Sequence, residues 1–215
     1  MLKRLALPAL CAALLVTTGC LQKDKTQTLY LEPGGSVAWV TSEANVRSDE
    51  TDIGKRMEEE QGYIAEALLG THRVARAFAA LGPSTAVQTT VLRDRRPFHV
   101  VTEARFRAVD RVLERLFTGM GVPTRASLVR DGDRATLRVR LDFGRLTDER
   151  ETPLSELFDD IDHFRFVLTD ARFGEVSGFD VTDGVSATLS ADWMERAEKA
   201  YARRGTIEFA LSWSE

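Results

Sequence analysis

Leu137, Val139, Leu141 and Phe143 alternate with Thr136, Arg138, Arg140 and Asp142. Successive side chains of a strand point to opposite faces, so this run has one apolar face and one wet face. Such a strand needs a second layer to close its apolar side. The run Ala126 to Arg130 precedes it through Asp131, Gly132 and Asp133, and Asp-Gly tolerates the positive φ of a tight hairpin turn. The sequence therefore predicts the α+β class: an antiparallel sheet of several hairpins with three to four helices packed mainly on one face.

The rest of the chain repeats these signals. Thr26 to Leu31 reads as a strand, and Pro33, Gly34 and Gly35 supply a turn before a second strand from Ser36 to about Val46. Val37 and Trp39 share one face of it, while Ala38 and Val40 share the other, an arrangement suited to cover on both sides. Asp52 caps a helix with Ile53, Met57, Ile64 and Leu68 as its expected core stripe, ending near Gly70. A shorter helix carries Val74, Ala75, Phe78 and Leu81 until Gly82 and Pro83 stop it. Ala86 to Arg93 and Pro97 to Phe106 form a further hairpin, whose tip carries Arg93, Arg95 and Arg96; these suit an anionic headgroup or phosphate, or plain solvation.

The cleanest helix lies at Val109, Val112, Leu113, Leu116, Phe117 and Met120, and it is expected to share one core with the Leu137 to Phe143 face. Phe164, Phe166 and Leu168 alternate as a strand, as do Phe179 with Val181, and Val185, Ala187 and Leu189 after a turn at Thr182 to Gly184. Ser190 caps a helix bearing Trp193, Ala197, Ala200 and Tyr201. A terminal strand then places Ile207, Phe209, Leu211 and Trp213 on one face.

Composition restricts function more than it names it. The formal net charge is -4, which does not suit a nucleic-acid binder, and no stretch of 18 apolar residues exists to cross a bilayer as a helix. No nucleophile elbow, phosphate-binding loop, dinucleotide fingerprint or His-Glu-x-x-His pattern occurs. His72, His99 and His163 have no metal-ligand spacing. The acidic stretch Asp148, Glu149, Glu151, Glu156, Asp159, Asp160 and Asp162 lacks the spacing of a calcium loop, so no metal ligand, cofactor or catalytic residue is assigned.

The N-terminus states an address. Lys3 and Arg4 precede the largely apolar run Leu5 to Val16, which has the length of a signal-peptide core. Thr17, Thr18, Gly19 and Cys20 follow, and here the chain resembles bacterial lipoprotein precursors, with Thr17 standing where that family commonly has Leu. The resemblance implies cleavage before Cys20, a lipid on its sulfur, and membrane anchoring through it. Leu21, in place of Asp, at the next position implies the outer membrane if the organism has one. Cys11 would leave with residues 1–19, so Cys20 would be the sole thiol of the mature chain, and loss of Lys3 and Arg4 would take the charge from -4 to -6. A secreted protein with a free thiol and an uncleaved signal anchor are the alternatives. The expected organisation is a signal peptide at 1–19, lipidated Cys20 and a short tether to Lys25, and one domain over 26–215.

Between Phe164 and Leu189, the strand, Phe173-Gly174-Glu175-Val176, and Asp183-Gly184 before another strand resemble the LppM-type domain of bacterial lipoproteins. That likeness implies a fold akin to lipid-binding folds. The expected function is a non-enzymatic envelope lipoprotein whose partners are the membrane through Cys20 and a protein or an apolar ligand, with no nucleic acid. The alternative is a lipid-anchored hydrolase whose acid and base are Asp or Glu carboxylates, which leave no reliable linear signature.

Overall fold

The computed structural model describes residues 21–82, 86–146 and 164–214. Cys20, Pro83, His163 and the acidic stretch from Asp148 to Asp162 lie outside the described residues. In chain order the described elements are β1 (Leu21–Leu31), β2 (Val37–Ser48), α1 (Ile53–Leu68), α2 (Arg73–Ala80), β3 (Val87–Arg93), β4 (Phe98–Phe106) and α3 (Val109–Gly119). Then come β5 (Thr124–Asp131), β6 (Arg134–Asp142), β7 (Phe164–Leu168), β8 (Arg172–Ser177), β9 (Phe179–Thr182), β10 (Ser186–Leu189), α4 (Ala191–Ala202) and β11 (Thr206–Ser214).

The class is mixed α+β, but the strands form two sheets where the sequence suggested one. A seven-stranded sheet runs β3-β4-β2-β1-β7-β10-β9, and a four-stranded sheet runs β5-β6-β11-β8. Pairing is antiparallel except between β1 and β7, where Leu29 lies beside Phe166 in parallel register. The chain passes between the sheets repeatedly, so neither can separate from the other. The crossing from β8 to β9 turns at Gly178, whose φ of +89° and position 2.5 Å from Trp193 Cδ1, measured from an ideal Cβ, leave room for glycine alone. Gly35 plays the same part in the β1–β2 turn, because a Cβ there would lie 2.2 Å from a methyl of Leu128 on β5.

Packing follows the alternation of the sequence. Leu137, Val139, Leu141 and Phe143 are fully buried and share one core with Val109, Val112, Leu113 and Phe117 of α3, which packs on β5 and β6. Leu116 and Met120 are only partly buried at the margin of that core. Ile207, Phe209, Leu211 and Trp213 all point inward. Both expected helix caps form: the Asp52 carboxylate accepts from Lys55 N at 2.9 Å, and the Ser190 hydroxyl accepts from Trp193 N at 3.2 Å.

Four expectations change. Leu21 to Lys25, read as a tether, belong to β1, with Leu21 opposite Ser48. The expected stripe of α1 is not its buried side: Ile53, Met57 and Leu68 are 65%, 52% and 71% exposed, while Glu60 and Ala67 are buried. The reason is polar, since Glu60 Oε1 accepts from Ser48 N at 3.0 Å and pairs with Arg96 Nε at 3.1 Å, which turns that side of the helix toward the sheet. Nor do the helices form a single layer. α1 and α2 lie against β2, β3 and β4 of the larger sheet, whereas α3 and α4 lie against the smaller one. Ala38 and Val40, expected under cover, are half-exposed.

Candidate functional site: a sealed polar cluster and an arginine groove

The inward phase of β1, β2 and β4 is apolar at Leu29, Trp39 and Ala104 but turns polar farther along, at Gln27, Thr41, Glu43 and Thr102. All four polar residues are buried, so each requires a partner. Gln27 accepts from the Trp39 indole at 3.1 Å. The Glu43 carboxylate, 2% exposed, accepts from Lys23 Nζ on one oxygen and from the Tyr63 hydroxyl at 3.0 Å on the other. His72, which precedes α2, stacks edgewise on Tyr63 with ring centroids 6.5 Å apart and bonds Thr102 Oγ1 through Nε2 at 2.9 Å. The Nδ1 atom of His72 and the hydroxyls of Thr41 and Thr89 are buried and make no hydrogen bond among the described residues.

A carboxylate, a phenol and an imidazole side by side are the ingredients of acid–base chemistry. Their protonation is set by enclosure. Burial, reinforced by the neighbouring Glu43 carboxylate, pushes the Tyr63 hydroxyl well above its ordinary value near 10, so it remains a donor. Burial also holds the His72 imidazole below its ordinary 6.5, against the opposing pull of Glu43. The neutral ring suits a pocket where Nδ1 has no acceptor.

This displacement has a testable sign. Below about pH 6.5 the unfolded chain takes up a proton at His72 that the folded chain refuses, so folding stability falls as the pH drops through that value. Urea midpoints measured from about pH 8 down to about pH 5 should therefore decline more steeply for the wild type than for His72→Gln. Parallel curves would show that His72 is not held neutral by the fold.

The described surface carries a different arrangement. On the outer face of the smaller sheet Arg125 stands directly opposite Arg140, Ser127 opposite Arg138, and Glu208 opposite Arg140 on its other side. With Arg111 and Glu114 of α3 they line an open groove of about 530 Å³. Arg111 pairs with Glu114 at 3.2 Å, while the side chains of Arg125, Arg138 and Arg140 have no ion pair among the described residues. Like charges directly across a ladder repel. A second depression of about 250 Å³ lies between Arg134, Glu175 and Ser212.

None of His72, His99 and the basic hairpin tip Arg93, Arg95 and Arg96 lines either depression. Arg96 of the basic hairpin tip is engaged structurally, with Glu60 and with Ser48 O, and Arg93 and Arg95 stay exposed. His99 bonds Ser42 Oγ at 2.8 Å and lies apart from His72. Among the described residues no group of three or more His, Cys, Asp or Glu is placed to hold a metal ion, and no helix is long and apolar enough to cross a membrane. The sequence reading missed the Lys23, Glu43, Tyr63 and His72 cluster. Its one signal was polar residues in the buried phase of strands that are otherwise apolar.

Comparison with known proteins leaves the family open. No family model matches the chain, and no curated protein matches it. Among solved structures, the chain is similar to the folded domain of LppM from Mycobacterium tuberculosis, determined by NMR. The identity is 10%, the match covers 93% of this chain and 94% of that one, and the TM-score is 0.37.

Proposed function

We propose that this chain is an exported lipoprotein held in the cell envelope by an acylated Cys20, on the outer membrane where the cell has one, and that its domain binds a partner. The observation that carries the reading is the order of the N-terminus: basic Lys3 and Arg4, an apolar run to Val16, and Gly19-Cys20 immediately before the first residue of β1. Two or three acyl chains, at about 0.8 kcal/mol per buried methylene, hold a protein stably on a membrane, whereas one does so only marginally.

Binding suits the described domain better than chemistry does, because the Glu43 and His72 side chains of its acid–base cluster are buried, each residue only 2% exposed. A protein partner suits it better than an apolar small molecule. The groove is lined largely by arginine and glutamate, and the apolar interior is filled by the edge-to-face rings of Phe166, Phe179 and Phe209 and by Trp39 against Phe164.

Metabolic labelling tests the anchor. Wild-type protein expressed in a bacterium should incorporate labelled fatty acid and sediment with membranes. Cys20→Ser should take up no label, and should either remain soluble or retain its signal sequence. Equal labelling of both would refute the anchor.

A further inference from the structure

The anchor reading and the strand geometry together decide which end of the domain touches the membrane. Leu21 is the first residue of β1 and is already paired with Ser48, so no flexible segment separates the sheet from Cys20. Consecutive Cα atoms lie about 3.8 Å apart, whereas the headgroup layer is roughly 5–7 Å deep on each side of the hydrocarbon. A lipid-bearing Cys20 therefore draws the Leu21 end of the larger sheet into the headgroups.

That end carries an apolar surface with no cover of its own. α1 runs back along β2, with Glu60 level with Ser48 and Tyr63 bonded to Glu43. At 1.5 Å per residue, Ile53 then lies about 10 Å beyond the Glu60 turn and Met57 about 5 Å beyond it. Both project past the end of β2. On the edge strand β3, Leu92 lies between Val91, opposite Val100, and Arg93, opposite His99, one residue short of the Phe98–Val46 level and so close to this end. Ile53, Met57 and Leu92 are 65%, 52% and 59% exposed.

We infer that the end of the domain formed by Leu21, the first turns of α1 and the β3–β4 hairpin rests in the interfacial layer of the bilayer that holds Cys20, with Ile53, Met57 and Leu92 buried among lipid. The inference rests on the lipid-anchor reading. The charges at this end are of both signs, with Arg47, Lys55, Arg56, Arg93 and Arg95 set among Asp49, Glu50, Glu58 and Asp94, so the contact is made by apolar side chains more than by net charge. It follows that the arginine groove faces away from the membrane. Val109 N, two residues before Arg111 of the groove, bonds Gly35 O at 2.9 Å in the β1–β2 turn, at the end of β1 that lies eleven residues or about 35 Å from Leu21.

Val129, 58% exposed on β5 beside Arg130, which bonds Pro33 O at that far end, is the internal control. Single cysteines at Met57, Leu92 and Val129 can each carry an environment-sensitive fluorophore, because acylation blocks the sulfur of Cys20. The full acylated protein is reconstituted into phosphatidylcholine vesicles containing nitroxide-labelled lipid. Labels at Met57→Cys and Leu92→Cys should shift to the blue and lose most of their emission, equally at low and high salt, while the label at Val129→Cys should keep both its colour and its intensity. If mass spectrometry shows Cys20 acylated and the first two labels are no more quenched than the third, the inference is wrong and the anchor stands. If Cys20 carries no lipid, the anchor reading has failed and the inference falls with it.

Discussion

Phe209→Ala should cost about 3–5 kcal/mol of unfolding free energy, among the largest losses available to a single truncation in this chain. Phe209 sits on β11 of the smaller sheet, 3% exposed, yet its ring meets three other layers. It lies 5.3 Å from Phe179 on β9 of the larger sheet, 5.8 Å from Trp193 on α4 and 6.3 Å from Phe117 on α3. Edge-to-face pairs at these separations add to the burial of the ring itself. Removing it leaves a hole where both sheets and two helices converge, and a rigid β-framework cannot collapse to fill it. The comparison is Arg138→Ala, which lies across β6 from that core with a solvated guanidinium and should cost within about 0.5 kcal/mol. Urea unfolding of the two variants decides the matter, and the reverse order would mean that the two sheets do not share one core.

Where apolar alternation is complete, the strands stand where the sequence put them. Thr136 to Phe143 and Ile207 to Trp213 have unbroken period-two patterns, and both are observed with the expected residues inside. The two-sheet arrangement had no comparable signal. β1 and β7 pair in parallel across more than a hundred residues, so no turn between them announces the contact. The beginning of β1 was illegible for another reason. Gln22, Lys23, Asp24 and Lys25 look like a tether because the inner positions they oppose are also polar, and Lys23 finds its partner in Glu43 on the neighbouring strand. α1 shows the opposite error. Ile53, Met57, Ile64 and Leu68 make a helical stripe on paper, but the Glu60 carboxylate, held by Ser48 N and Arg96, decides which side faces the sheet. The polar cluster escaped notice because Lys23, Glu43, Tyr63 and His72 come from β1, β2, α1 and the loop before α2 and acquire meaning only from their burial. Conversely, the expectation for Cys20 rests on its neighbours in sequence alone, and folding adds to it only the location of the strand that begins at the next residue.

That strand end carries an ion pair whose carboxylate is enclosed, which makes Lys23→Met the most damaging polar substitution expected here. Glu43 is 2% exposed at its side chain and Lys23 25%. Loss of the ammonium would take a cation from a buried carboxylate that also accepts from the Tyr63 hydroxyl, and removing one partner of a buried pair typically costs about 3–5 kcal/mol. Because Lys23 retains some contact with water, the lower end of that range applies, about 3 kcal/mol. Most of this loss is the penalty of an uncompensated charge and not the worth of the pair itself. Adding Glu43→Gln to Lys23→Met removes the charge while keeping an acceptor for Tyr63, and should restore most of the lost stability. Glu43→Gln alone should cost less than Lys23→Met, since the ammonium can reach toward solvent along its flexible stem. A double-mutant cycle by urea unfolding gives the coupling directly, and strict additivity of the two substitutions would show that Glu43 is already hydrated and the cluster open. The same cycle bears on the membrane-facing end. Lys23 lies two residues from Leu21, so Lys23→Met also loosens the start of β1 and gives the domain the slack that the native strand denies it, whereas the double variant should hold the strand, and with it the domain, against the bilayer.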